Sequence, residues 1–195
     1  MRLLLSLALV LLAVASHGQK DPTLKTRLDE YIKITEEMDF EKIMDYTYPR
    51  LFSLIKREEL VEVMRQTFSN DEVTIKLDSL RADSIYPIFQ LEGGNFAKVT
   101  YSMRMLMKFH QPGDTTKMGE MMEMIKAGLA QQFGEDRVSI DAATNTVIVQ
   151  MIGTPMVAIK DSLSKEWTFV NLKPEDPLTA QLLSEAVLAK LATYK

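Results

Sequence analysis

Apolar side chains recur every three or four positions through residues 22–68 and every second position beyond residue 73, and this change of period sets the expected elements. Leu24, Leu28, Tyr31, Ile32 and Thr35 predict a helix from Pro22 to Met38. Asp21 stands where an N-cap belongs, and Pro22 takes the first helical position, where a missing N–H costs nothing. Asp39 caps a second, short helix, Phe40 to Tyr46, with Phe40, Ile43 and Met44 on one side. Pro49 interrupts the pattern, and Leu51, Phe52 and Ile55 cluster after it. Lys56 to Phe68 predicts a third helix, with Leu60, Val61, Met64 and Phe68 opposite Glu58, Glu59, Glu62 and Arg65.

Val73, Ile75 and Leu77 then alternate with Thr74, Lys76 and Asp78, the mark of a half-buried strand. A second strand is predicted from Ile85 to Leu91, with Pro87 assigning it to an edge or a bulge. After the Glu92–Asn95 turn, Phe96 to His110 is the longest strand. Val99, Tyr101, Met103, Met105, Met107 and Phe109 share one face; Thr100, Ser102, Arg104, Lys108 and His110 share the other. A turn at Gln111–Asp114 leads to a helix from Thr116 to Phe133, with Gly134 as its C-cap. Strands follow at Arg137–Ala142, Thr146–Ile152, Pro155–Asp161 and Glu166–Leu172, and a helix at Leu178–Leu191 closes the chain. Helices first, then a run of antiparallel strands with one inserted helix, predict an α+β fold: N-terminal helices packed on a strongly curved antiparallel sheet.

The first eighteen residues follow neither period. Arg2, an apolar run from Leu3 to Ala15 and the small residues of Ala15-Ser16-His17-Gly18 read as a secretory signal cut before Gln19. The run of thirteen residues is short against the roughly twenty that span a bilayer. Residues 1–18 are therefore expected to be removed, leaving 19–195 as one domain, secreted or periplasmic, with no membrane anchor after cleavage. There is no cysteine, so the exported chain must be held by its core rather than by disulfides. Loss of Arg2 moves the net charge from −4 to −5, and the scattered basic residues argue against nucleic acid as a partner.

The phrase Asp39-Phe40-Glu41-Lys42-Ile43-Met44-Asp45-Tyr46-Thr47-Tyr48-Pro49, followed by a further helix and the strand series, resembles the NTF2-like (cystatin-like α+β) superfamily, in an exported bacterial form. The resemblance implies early helices crossing a curved sheet, with a conical space between the two. The helix at 116–133 departs from the minimal family pattern. Isomerases, dehydratases, transport factors and non-catalytic modules all use this fold, so it does not choose a function.

Candidate chemistry is sparse. Of 13 methionines, Met103, Met105 and Met107 share a strand face and Met118, Met121, Met122 and Met124 share a helix. Core packing is their simplest role, an adaptable apolar pocket the next, and Cu(I) ligation by thioethers a minor third. Cleavage of the signal leaves His110 as the single imidazole, which excludes a zinc site of the usual histidine and cysteine kind. No G-x-S-x-G phrase presents a nucleophile, and Gly93-Gly94 reads as a hairpin turn, not a phosphate loop. Tyr46, Tyr48, Tyr101 and Trp167, with Met103 and Met105, are the candidate pocket lining; Arg104 faces away from the methionines, toward an acid on a neighbouring strand or an anionic ligand.

These residues favour an exported non-catalytic module that binds a small apolar ligand in the cone or, through the sheet, a protein partner or second copy. No cofactor or catalytic residue is assigned. The alternative is an isomerase or dehydratase with a buried aspartate base and a tyrosine donor to an oxyanion. A carboxylate and a tyrosine hydroxyl converging in a closed cavity would favour the enzyme.

Overall fold

The computed structural model describes residues 21–110, 115–173 and 175–194. The predicted export signal over residues 1–18 and the turn at Gln111–Asp114 lie outside them. Among the described residues, six α-helices pack against one open, six-stranded antiparallel sheet. None of those helices is long and apolar enough to cross a membrane.

The helical layer follows the capping signals. α1 (Pro22–Glu37) begins beneath Asp21, whose carboxylate accepts the Thr23 N–H at 2.8 Å, and ends at Met38 with φ 55°. Asp39 accepts the Lys42 N–H at 3.2 Å and starts α2 (Phe40–Tyr46). A 3₁₀ turn over Pro49–Ser53 leads to α3 (Arg57–Phe68). Ile43, Met44 and Val61 bind α2 to α3, with Tyr31 of α1 packed on them.

The sheet consists of β1 (Val73–Ile85), β2 (Phe89–Leu91), β3 (Gly94–Phe109), β4 (Val138–Asp141), β5 (Thr146–Asp161) and β6 (Ser164–Asn171). Its order is β1-β3-β5-β4; β2 also pairs with β3, and β6 with β5. Two strands, β3 and β5, run its whole length, each 16 residues long. β3 keeps perfect alternation. Its odd positions meet α1 at one end, through Ala97, Val99 and Tyr101, and α4 (Thr115–Phe133) at the other, through Met105, Met107 and Phe109.

The neighbouring strands keep pace with β3 only through bulges. β5 inserts an extra residue between Met151 and Thr154, where Gly153 has φ 65°. The residues facing the helices are Val147, Val149 and Met151 before the bulge, and Met156 and Ala158 after it. An inserted residue reverses the parity of a strand and bends it. β1 does the same near Ser79, at φ 54°, so that Ile75 and Leu80 both point inward.

Three expected boundaries are corrected. The strand predicted from Ile85 to Leu91 is two pieces: Ile85 ends β1, and β2 starts after Pro87. The strands predicted at Thr146–Ile152 and Pro155–Asp161 are one strand, β5. The terminal helix is likewise two, α5 (Pro177–Leu182) and α6 (Glu185–Ala192). Ser184 accepts the Val187 N–H and restarts the helix, while Leu182 and Leu183 are both buried at the break. α5 and α6 cover the other face of the sheet, over Phe96, Val157 and Ile159.

Candidate functional site

The chain leaves α2 in an extended conformation at Thr47, which bridges to Phe169 of β6; the Tyr48 N–H donates to the Phe169 carbonyl at 3.3 Å. This crossing separates Tyr46 from Tyr48. Tyr46 stays with α1, its ring centroid 3.7 Å from the Arg27 guanidinium, and its hydroxyl donates to Glu30 at 3.2 Å. Tyr48 passes to the opposite face and is buried against Leu182, Leu183 and Val187. Its hydroxyl donates to Asp161 at 2.7 Å. Burial, reinforced by the Asp161 carboxylate, pushes the Tyr48 hydroxyl up to about 12.

The other four predicted residues are distributed through the layer between α1, α4 and the sheet. Trp167 is 2% exposed, its indole N–H held by Asp21 at 3.0 Å. Tyr101 is buried beside it, and its hydroxyl donates to Asn171 at 3.2 Å; burial raises that hydroxyl well above its usual value. Met103 packs on the same cluster, whereas Met105 lies under α4. Tyr31 and Phe169, with ring centroids 4.9 Å apart, fill the space between helix and sheet further. The region the sequence suggested as a hollow is thus occupied by stacked aromatic side chains where α1 crosses the sheet.

A cleft opens one step away, between α2, α3 and the end of β6. It holds about 270 Å³. Ile43, Met44, Leu60, Met64, Phe169 and Leu182 supply its apolar walls. Asn171, Lys173, Asp176 and Thr179 supply polar groups. Asp176 is committed as the N-cap of α5, accepting the Leu178 N–H at 2.9 Å, and Asn171 accepts from Tyr101. Lys173 is exposed and has no acidic partner among the described residues. Sequence reasoning missed this cleft because its walls come from four separated segments. Met44, Leu60 and Met64 carried a signal only as parts of helical stripes.

A second cleft, about 290 Å³, lies where the β2–β3 and β5–β6 turns approach the junction of α5 and α6. Tyr48 and Asp161 border it. Here a carboxylate and a tyrosine hydroxyl do meet, but the carboxylate is engaged by the turn it closes. Its other oxygen accepts the N–H groups of Leu163 at 2.9 Å and Ser164 at 3.3 Å. Gly94 lines the same cleft, and a Cβ there would lie 2.8 Å from the Phe96 ring. The two remaining polar candidates are accounted for locally. Arg104 makes a two-pronged ion pair with Asp78 across β1 and β3, at 2.7 and 2.6 Å. His110 shares a 2.7 Å hydrogen bond with Thr74. No group of three or more histidine, cysteine, aspartate or glutamate side chains among the described residues is placed to hold a metal ion.

Fold and clefts together define an α+β protein with an open, helix-covered antiparallel sheet. Comparison with known proteins found no matching protein family, no matching curated protein and no matching solved structure.

Proposed function

We propose that this is an exported, non-catalytic binding module of NTF2-like type that takes a small apolar ligand in the cleft between α2, α3 and β6. One observation carries the reading. The 270 Å³ cleft has apolar walls with polar side chains interspersed, the composition of small-molecule sites. Its size lies just below the usual range, which starts at about 300 Å³. This favours a compact ligand, and the unpaired Lys173 favours one with a single acidic end, such as a short-chain fatty acid. Met44 and Met64 give the walls the pliancy that unbranched thioethers supply. The Tyr48–Asp161 pair supports this reading over an isomerase, because the hydrogen bonds of Asp161 serve a turn.

The test is displacement of an environment-sensitive apolar fluorophore from residues 19–195 by a series of aliphatic acids and their neutral alcohols. Saturable binding is expected, with acids preferred over alcohols. Met64→Trp, which fills the cleft, is expected to weaken binding at least tenfold. Binding that survives Met64→Trp unchanged, or no binding across the series, overturns the proposal.

A further inference from the structure

Six methionines converge under one helix. Met118, Met121 and Met122 of α4 pack with Met105 and Met107 of β3 and Met151 of β5, around Val147 and Val149. Their exposure is graded. Met124, on the outer face of α4, is 70% exposed. Met121 is the half-buried methionine of α4 at the seam, Met105, Met107 and Met151 are half-buried on the strands, and Met118 and Met122 are buried. Ile125, Leu129, Ala130 and Phe133 extend the same apolar seam, and apolar contact is what holds the helix. Among the described residues, no hydrogen bond or ion pair joins an α4 side chain to the sheet, and its one ion pair, Lys126 with Glu123, is internal. Gly119 and Gly128 lie within α4 with open space where a Cβ would be, so two positions weaken the helix without any packing need.

We propose that the α4 seam is an oxidation site: a peroxide converts Met121 to the sulfoxide, and this releases α4 from the sheet. In that step one oxygen of hydrogen peroxide is transferred to the thioether sulfur. The O–O bond breaks, the sulfur loses two electrons, and the peroxide leaves as water. The product is polar where the thioether was apolar. At the seam it meets valine side chains and other thioethers. A polar group without a partner in such surroundings raises the population of the opened helix by roughly ten- to a hundredfold. Opening uncovers Met118 and Met122, so the first sulfoxide at the seam promotes the next. Met124 lies outside this coupling, because it is already in solvent. Cu(I) ligation uses the same thioethers, but Met121 and Met124 are the ones on α4 open to solvent, and thioether capture of Cu(I) is served by more donors than that pair.

The experiment treats residues 19–195 with hydrogen peroxide. Peptide mass spectrometry gives the occupancy of each methionine, and amide hydrogen exchange gives the protection of α4 and of β3. Met124 is expected to oxidise first with no change in exchange. Oxidation of Met121 is expected next, with at least a tenfold loss of protection in α4 while residues 96–101 keep theirs. Methionine sulfoxide reductase is expected to restore the α4 protection. Met121→Leu, which conserves volume, is expected to keep α4 protected after peroxide and to slow oxidation of Met118 and Met122. Unchanged α4 protection with Met121 oxidised overturns the proposal. So does a loss spread evenly over the whole sheet, or equal oxidation rates for Met118, Met121, Met122 and Met124. Should Met121→Leu fold poorly, the order of oxidation and the reductase rescue in the unmodified chain decide the matter alone.

Discussion

Asp21 ties the start of the helical layer to the sheet, and replacing it measures that tie. One carboxylate oxygen accepts the Thr23 N–H at 2.8 Å and its hydroxyl at 2.6 Å; the other accepts the Trp167 indole N–H at 3.0 Å. Asp21→Ala removes an N-cap, a loss of about 1 kcal/mol. It also leaves the indole N–H of a side chain that is 2% exposed without its acceptor, which costs about 1–3 kcal/mol more. The expected destabilisation is therefore about 2–4 kcal/mol, a large part of the stability of an ordinary domain. Urea unfolding followed by fluorescence of Trp167, the chain's one tryptophan, reads it directly. Asp21→Asn keeps a single carbonyl oxygen and should fall between the two.

The same carboxylate sets a pH dependence. The Thr23 hydroxyl, above all, holds the Asp21 carboxyl below its usual value; burial opposes this, and the Thr23 N–H and the indole add to the lowering. A depressed folded-state value means that the stabilisation is complete above the unfolded value of about 4 and is lost as the pH falls through the folded one. Asp21→Asn should flatten that acid limb. A cost below about 0.5 kcal/mol for Asp21→Ala, or strict additivity with Trp167→Phe in a double-mutant cycle, would mean that Asp21 does not tie α1 to Trp167.

Gly153→Ala forces an alanine into φ 65° at the β5 bulge and should destabilise by about 1–2 kcal/mol in urea, with the m-value unchanged. Gly119→Ala and Gly128→Ala meet no neighbour and should each stabilise α4 by about 0.5–1 kcal/mol, seen as slower amide exchange there. Ser184→Ala removes the cap that restarts the helix at α6 and should cost about 1 kcal/mol. Tyr48 titrates near 12 in the folded chain against about 10 unfolded, so its contribution is complete below pH 10 and is lost as the pH rises toward 12. Tyr48→Phe should remove one proton's share of the alkaline fall in stability, measured by unfolding from about pH 9 to about pH 12.

Much of this architecture could be read from the sequence wherever one local rule acted alone. Asp21 and Asp39 marked the starts of α1 and α2 because an N-cap is a contact within three residues. β3 was legible because no bulge interrupts it. β1 and β5 were misjudged for a common reason: the alternation does reverse at Ser79 and Gly153, and a reversal looks like an end. Pro155 strengthened that impression, yet it pairs with Thr100 inside a long strand, just beyond the bulge. The break between α5 and α6 was hidden because Leu182 and Leu183 continue the apolar pattern. They are buried together in the layer over β5 rather than on one helical stripe.

The site was less legible than the fold, and the reason is geometric. Six residues were proposed as one lining because they are aromatic or thioether side chains near one another along the chain or on one strand. Their placement follows the faces of the sheet instead. Tyr48 crosses to the far side two residues after Tyr46, and Met105 passes from the α1 end of β3 to the α4 end one alternation after Met103. The large aromatic groups are consumed in closing the core: Tyr101 and Trp167 are buried in one cluster with Ala97 and Ala158 of the sheet and Leu24 and Leu28 of α1. An open volume lies further out, where α2 and α3 stand off from β6. The walls of the 270 Å³ cleft are mostly aliphatic and thioether side chains from helices, with Tyr31 of α1 and Phe169 of the sheet. The cleft's position separates the two functional proposals physically. The cleft is on the α2–α3 side and the methionine seam lies under α4, so oxidation at Met121 should leave ligand affinity unchanged, and Met64→Trp should leave the oxidation order unchanged.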